Sequence, residues 1–584
     1  MKVIQTTFIN PPYRFFINNL IFFSIVSIFV LTPLVVQSQD ILGSSLEFSI
    51  EPVYDSSGRE ELTATLQKIS QKVYWYTDDQ WWEGLTEEEV EAATESLDDL
   101  ALEFDAKIYP VLTGNFGSEW NPGIDNDSRI TILVHPMVSE AGGYFNSADE
   151  YSKLQIPESN EREMVYFNAI HLTTDFAKSF LAHEFQHLIS FNQKEKTFNV
   201  SEDVWLNESR SEYVPTLLGY NQGLEANTIE RRIRNFLDKP YDSLTEWKNV
   251  PYDYGVASLF IHYLVDHYGK NILINSLKSA RTGIDSLNYA LARAGFREDF
   301  AQIFTDWAIT VLVNDCSVSM KYCYFDENLA SLKLAPFINY LPPMGKSVLS
   351  VTDSTKDWSG NWHKFIGGNH RTLNIEFSGS PAGNFKIPYV IQNNQGHYLI
   401  NFLELDANQE GIIEVTEFGS INTSLTIIPI LQGKTSGFSN LEPSVSFFWS
   451  ASTVEETNPE EEALISQLLA QIAELQKQIT IIQARINEIL GISSETCQGI
   501  DDNLYFGMRN DARVKCLQEF LKSQNTDIYP EGLVTGNFLS LTKAAVIRFQ
   551  EKYKEEILIP LGLKEGTGFV GPMTRTKINQ LLAY

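Results

Sequence analysis

Apolar residues recur along this chain in four rhythms, and each predicts a different kind of structure. The first is an unbroken run from Leu20 to Val36, preceded by Lys2 and Arg14 and followed by Gln37-Ser38-Gln39-Asp40. Residues 1–38 therefore read as an export leader, either a signal peptide cleaved near Ser38 or an uncleaved N-terminal anchor. The second rhythm, helical spacing, dominates 40–335. Leu85-Thr86-Glu87-Glu88-Glu89-Val90 has the form of a capped helix start, and the spacing continues through Leu97, Leu100, Leu102 and Phe104. No polar linker separates residues 40–115 from the segments downstream of them. They are expected to be an N-terminal lobe of the same unit, with a pro-segment as the alternative. The turn Pro122 to Ser128 leads into Arg129-Ile130-Thr131-Ile132-Leu133-Val134, a β-branched run typical of a buried strand, and Gly142-Gly143-Tyr144-Phe145 reads as a strand edge.

The third rhythm begins near 340. Short alternating runs such as Thr372–Phe377, Ile412–Val415 and Leu425–Ile430, separated by Gly, Asn, Ser and Asp, predict an all-β sandwich over 340–451. No cluster in it suggests chemistry, so it reads as a spacer or binding module. The fourth is a heptad seam within 453–490. A Glu-rich linker precedes Ile465, Leu468, Ile472, Leu475, Ile479, Ile482, Ile486 and Ile489, at alternating steps of three and four. This predicts a coiled coil roughly 37 Å long. Self-association through 465–489 is the expectation; one helix packed on its own β domain is the alternative. Residues 497–584 carry two half-patterns, Val514/Leu517-Gln518/Leu521 with Thr535-Gly536, then Ala545-Val546/Phe549-Gln550 with Gly568-Phe569-Val570-Gly571 and Thr574.

Composition sharpens this reading. A chain of 584 residues, 43% hydrophobic and 20% charged, is too long for one core and should divide into several domains. The net charge of −31, with no concentrated basic patch, argues against nucleic-acid binding. Four cysteines form two sequence-local pairs, Cys316 with Cys323 and Cys497 with Cys516. That pattern is compatible with two small-loop disulfides in an oxidising compartment, four unrelated thiols being the other reading.

The candidate chemistry lies in Phe180-Leu181-Ala182-His183-Glu184-Phe185-Gln186-His187-Leu188-Ile189. On a helix, His183 and His187 are one turn apart, so two imidazoles reach one zinc ion. Glu184 projects beside them, where a carboxylate takes a proton from an activated water. A catalytic zinc usually has a third protein ligand from elsewhere. Downstream, Trp205-Leu206-Asn207-Glu208 follows at a spacing of about twenty residues, and the two segments together resemble the gluzincin metallopeptidases. The resemblance implies Glu208 as third zinc ligand and Glu212, one turn on, as an orienter of a ligand histidine, a solvated helix charge being the other reading of Glu212. The metzincin pattern needs Gly and His three and six residues after the second histidine, where this chain has Ser190 and Gln193.

Residues 100–270, through Pro122-Gly123-Ile124-Asp125-Asn126-Asp127, Gly142–Phe145 and Ser159-Asn160-Glu161, also resemble secreted bacterial metallopeptidases of the hyicolysin-like group. Gluzincins usually present a Tyr or His from a later helix to the oxyanion, which implies Tyr254, with Tyr252 as the alternative. His262 and His267, five apart, read as structural. Asp125, Asn126 and Asp127 offer oxygen ligands for calcium, or only an Asx-rich turn.

The tail 497–584 resembles the small helical peptidoglycan-binding-like domains of bacterial envelope proteins, with Leu539 where a glycine is usual. The fold class expected is thus multidomain: an α+β zinc-metallopeptidase catalytic region, an all-β sandwich, a coiled-coil helix and a small all-α peptidoglycan-binding-like domain. The function expected is an exported zinc metalloendopeptidase retained at the bacterial cell surface and acting on protein or peptide substrates. A hydrolase of cell-wall peptide crosslinks, with peptidoglycan as partner, and a catalytically inactive surface adhesin or scaffold are the alternatives.

Overall fold

The computed structural model describes residues 40–222, 227–342, 348–454, 467–468, 471, 499–524 and 527–582. The chain divides into two compact units, residues 1–456 and 457–584. The expected leader, the heptad seam apart from Leu468, and Cys497 lie outside the described residues. Among the described residues no helix is long and apolar enough to cross a membrane.

The first unit starts as a six-stranded sheet built from β1 (Ser45–Ser49), β2 (Glu61–Ile69), β3 (Val73–Asp78), β4 (Ile130–His135), β5 (Gly143–Tyr144) and β6 (Met164–Asn168), in the order β1-β2-β3-β4-β6-β5. Strands β3, β4 and β6 are parallel, and β5 closes one edge antiparallel to β6. Residues 45–78, in the expected N-terminal lobe, therefore share one sheet with the strands beside the HExxH segment. The central strands are buried on both faces, as their unbroken β-branched and aromatic content requires. Alternate residues serve opposite cores: Val73, Trp75, Ile132, Val134, Val165 and Phe167 face the helices, while Tyr74, Tyr76, Leu133, Met164 and Tyr166 pack under β1, β2 and Tyr144.

Helices α1 (Glu87–Glu103), α2 (Ala177–Phe191), α3 (Val204–Leu217), α4 (Thr228–Asp238), α5 (Pro251–Tyr268) and α6 (Phe300–Val313) supply the first of those cores. A capping box at Thr86 and Glu89 starts α1. Of its expected apolar positions Leu97 and Leu100 are buried, with Phe104 just beyond the helix, whereas Leu102 is 70% exposed. Residues 97, 100 and 104 share a helical face that 102 does not.

Strands β7 (Phe337–Leu341), β8 (Val348–Thr355), β9 (His363–Gly367), β10 (Arg371–Gly379), β11 (Phe385–Asn393), β12 (Tyr398–Leu403), β13 (Glu410–Phe418), β14 (Asn422–Ile427), β15 (Ile430–Leu431) and β16 (Val445–Val454) form a second sheet around a separate core that includes Phe365, Leu373, Ile375, Phe377, Leu425 and Trp449. It does not hang on a linker. Trp358, Trp362, Ile428 and Ile430 belong to the helical core instead. The Trp358 ring lies 4.7 Å from that of Phe300, Leu244 N donates to the Trp358 carbonyl, and Trp362 Nε1 donates to the Ala308 carbonyl on α6. This part of the chain thereby packs against α6 and the segment that leads into α5.

The loops leading into β6 hold two buried acids. Glu163 accepts from Ile124 N at 2.6 Å, and Glu150, 1% exposed, faces the Glu163 carboxyl. Burial, and for Glu150 the facing charge of Glu163, raise both carboxyls far above their ordinary range. An acid whose folded pKa is raised destabilises the fold progressively as pH climbs from its unfolded value towards its folded one. Glu163→Gln keeps an acceptor for Ile124 N and removes one titration. It should raise Tm at pH 8 by a few degrees, at about 2–4 °C per kcal/mol, with no gain near pH 4.5. Equal Tm differences at both pH values in a thermal melt would refute this.

In the second unit, α7 (Ala512–Gln524), α8 (Ser540–Lys552) and α9 (Pro572–Leu582) surround a core of Leu504, Val514, Leu517, Phe549, Val570 and Ile578. The two half-patterns have a common physical cause. Gln518 accepts from Thr535 N and Gly536 N and donates to the Asn537 carbonyl and Thr542 Oγ1. Gln550 accepts from Gly568 N and donates to the Phe569 carbonyl and Thr574 Oγ1. Each buried amide pins a tight loop that would otherwise bury unpaired backbone groups.

Candidate metal centre

Helix α2 packs on the sheet through Leu181, Phe185 and Leu188, which turns His183, Glu184 and His187 towards α3. From α3, Glu208 meets both imidazoles: its Oε2 lies 3.3 Å from His183 Nε2 and 3.5 Å from His187 Nε2. The ligand atoms of these three residues all lie within 4.8 Å of one another, and they are the metal-capable His/Cys/Asp/Glu cluster found among the described residues. A tetrahedral zinc ion with bonds of about 2.0–2.1 Å separates its ligands by roughly 3.3–3.4 Å. The donor set and its spacing therefore fit zinc.

The outward nitrogens are braced from α3 as well. His183 Nδ1 is 3.5 Å from Glu212 Oε1, and His187 Nδ1 is 3.4 Å from Ser211 Oγ. Glu208, Ser211 and Glu212 share one face of the helix at steps of three and four. Glu212 is also gripped by Arg232 of α4, whose Nε and Nη2 donate to its two oxygens at 2.7 and 2.5 Å.

Electrostatics at the cluster favour a cation. Burial would lower His187, but the carboxylates of Glu208 and Glu184 outweigh it and push its pKa up to about 9. Burial would raise Glu208, yet the two imidazoles hold it well below the usual carboxylate range. The site stabilises positive charge at this point, and His183, His187 and Glu208 would hold a divalent ion in place of a proton. Glu184 is the exception: burial, with Glu208 and Glu212 adding to it, raises its carboxyl against the pull of the two histidines.

Glu184 also meets the sheet edge. A Cβ on Gly143 of β5 would come within 2.8 Å of Glu184 Cγ and 2.5 Å of the Tyr166 carbonyl, so only glycine lets the edge strand lie this close. A cleft of about 190 Å³ opens beside His187 between Phe145, Phe191, Val204 and Asn207.

Tyr254, on α5, lies within electrostatic reach of Glu208, Glu212 and Glu184. Gly255 beside it packs so tightly on α4 that a Cβ would sit 2.6 Å from Phe236 N. Arg232 lies 4.6 Å from the centre of the Tyr254 ring, and Tyr254 donates its hydroxyl to Asn249 Oδ1 at 2.7 Å. Tyr252 instead faces Lys239. His262 bonds Thr216 and the Ser258 carbonyl, and His267 the Cys323 carbonyl, both away from the cluster.

Three residues that no sequence pattern marks join the site. Ser211 is legible only once Glu208 is placed. Tyr54, in the β1–β2 connection, feels the Glu184 and Glu208 carboxylates and accepts from Asn249 Nδ2 at 3.5 Å. Neither Tyr54 nor Asn249 belongs to a recognisable motif.

Cys316 and Cys323 form a disulfide. Cys516 is disulfide-bonded, while Cys497 lies outside the described residues. The calcium candidates form a turn and no ligand cluster: Asp125 Oδ1 accepts from Asp127 N, and the Asp127 carboxylate accepts from Arg129 N and the Tyr74 hydroxyl. That places them with the Asx-rich turn of the two readings.

No protein-family model matches the chain. It is 29% identical over 185 residues to the neutral metalloprotease ShpI of Staphylococcus hyicus, an alignment that covers 28% of this chain and 40% of that protein. Among solved structures, the pre-peptidase C-terminal domain of a Bacillus anthracis collagenase matches at 8% identity over 20% of this chain and 96% of that one, with a TM-score of 0.14. The periplasmic lysozyme inhibitor PliG of Aeromonas hydrophila matches at 10% identity over 20% and 100%, with the same TM-score. Scores this low carry no argument about fold or function.

Proposed function

We propose that this chain is an exported zinc-dependent metallopeptidase that hydrolyses peptide bonds of protein or peptide substrates. The observation that carries the reading is the convergence of His183 Nε2, His187 Nε2 and Glu208 Oε2 at zinc-ligand spacing beside a buried Glu184. When bound there, zinc supplies Lewis-acid activation of a water and of the scissile carbonyl. Glu184 takes the proton of the attacking water and passes it to the leaving amine; a carboxyl raised by burial is the stronger base in the first step and a competent acid in the second. Glu212 and Ser211 fix the orientation of the two imidazoles. An extended substrate pairs along the outer edge of β5, which brings its backbone past Glu184.

Export is supported by the leader-like N-terminus and the Cys316–Cys323 disulfide. The peptidoglycan-binding-like tail, with the coiled coil before it, would hold the enzyme at the cell envelope, and the coiled coil would bring copies together. The purified ectodomain should carry about one zinc per chain and cleave casein, and a chelator should remove both metal and cleavage until zinc is restored. An ectodomain without stoichiometric metal would turn the reading towards a surface scaffold.

A further inference from the structure

Two phenols meet at Asn249 beside the candidate centre, and their hydrogen bonds are not equivalent. Tyr254 donates its O–H to Asn249 Oδ1 at 2.7 Å, so its proton is committed within the protein. Tyr54 is an acceptor from Asn249 Nδ2, and no described residue accepts its own O–H.

Tyr54 is also held in place. Its ring stacks on Tyr144 of β5 at 4.7 Å, and Tyr144 stacks on Tyr166 of β6 at 4.1 Å, so Tyr54 is the outer member of a three-ring stack rooted in the sheet. Its carbonyl accepts from Val138 N at 2.9 Å. The next residue, Asp55, is buried and accepts from Ser57 N, Arg59 N and the Arg59 guanidinium, which also pairs with Asp78. At the adjoining residue of β5, Gly143, the edge strand runs so close to Glu184 that a Cβ there would lie 2.8 Å from Glu184 Cγ. A donor held by packing and backbone bonds needs no reorganisation when charge develops in front of it.

We infer that Tyr54, from the N-terminal lobe, donates a hydrogen bond to the oxyanion formed during peptide hydrolysis, and that Asn249 and Tyr254 are positioning residues behind it. The hydrogen bond strengthens as the carbonyl oxygen gains charge, and no proton is transferred. This rests on the metallopeptidase reading. It also gives residues 40–115 a part in catalysis.

The test is steady-state kinetics of the full chain on a fluorogenic peptide, for Tyr54→Phe, Tyr254→Phe and Asn249→Ala, with zinc content measured for each. Tyr54→Phe keeps the ring stack, so zinc content and Tm should match wild type. Its kcat should fall about 100-fold with KM changed by less than about threefold. A phosphinic peptide, whose anionic oxygens imitate the oxyanion, should bind Tyr54→Phe more weakly by a similar factor. Tyr254→Phe and Asn249→Ala should lose less, because the Tyr54 hydroxyl remains. A Tyr54→Phe enzyme with kcat within threefold of wild type, or a larger kcat loss in Tyr254→Phe, overturns the assignment. Wild-type protein without chelator-sensitive cleavage overturns the peptidase reading instead.

Discussion

Glu184→Gln should leave a folded protein that still binds zinc and no longer cleaves casein. Glutamine keeps the shape and one acceptor oxygen but cannot take a proton from water. General acid–base catalysis by one positioned side chain is worth about 10²–10⁴-fold, and here the same carboxyl serves both steps, so a loss of at least about 10³-fold is expected. The metal should stay, because His183, His187 and Glu208 are untouched. Stability should be equal or higher, since burial raises the Glu184 carboxyl and the charged form is disfavoured in the folded state. Metal analysis, a thermal melt and a cleavage assay on the same preparation separate these outcomes. Retained turnover would sink the general-base assignment, and lost zinc would make Glu184 a ligand.

What the sequence disclosed at this site was what one helix can carry. His183, Glu184 and His187 are neighbours through helical geometry alone, and the structure places them on α2 as the i, i+4 spacing requires. Glu208 came through a resemblance, because nothing in helical spacing says which later segment crosses α2. Once it is placed, Glu212 and Ser211 follow on the same face of α3. Tyr54 had no such route. Its hydrogen-bonding partner Asn249 is 195 residues away in sequence, and the two meet only because the fold brings the β1–β2 connection to the segment before α5. The β region was legible as strands from its alternation, yet the same alternation could not show that Trp358 and Trp362 face the helical core, since period two marks a buried side without naming what buries it.

Glu212→Ala should damage two properties at once, and a second substitution should separate them. Glu212 is 5% exposed, lies 3.5 Å from His183 Nδ1 and takes both hydrogen bonds of the Arg232 fork. Its removal leaves a guanidinium that is 9% exposed without its counterion, a cost of about 3–5 kcal/mol. It also frees the His183 ring, and loss of such an outer partner typically weakens metal binding about 10–100-fold. Replacing Arg232 as well, by methionine, removes the stranded charge and should restore most of the stability, because an apolar pair of similar volume is often no worse than a buried ion pair. It cannot restore an acceptor for His183 Nδ1, so zinc affinity, measured by competition with a chelator, should stay low. Activity is the wrong readout for the double variant, since Arg232 also lies over the Tyr254 ring. If stability and zinc affinity recovered together, Glu212 would act on the metal only through the fold; if affinity alone stayed low, the carboxylate orients the ligand directly.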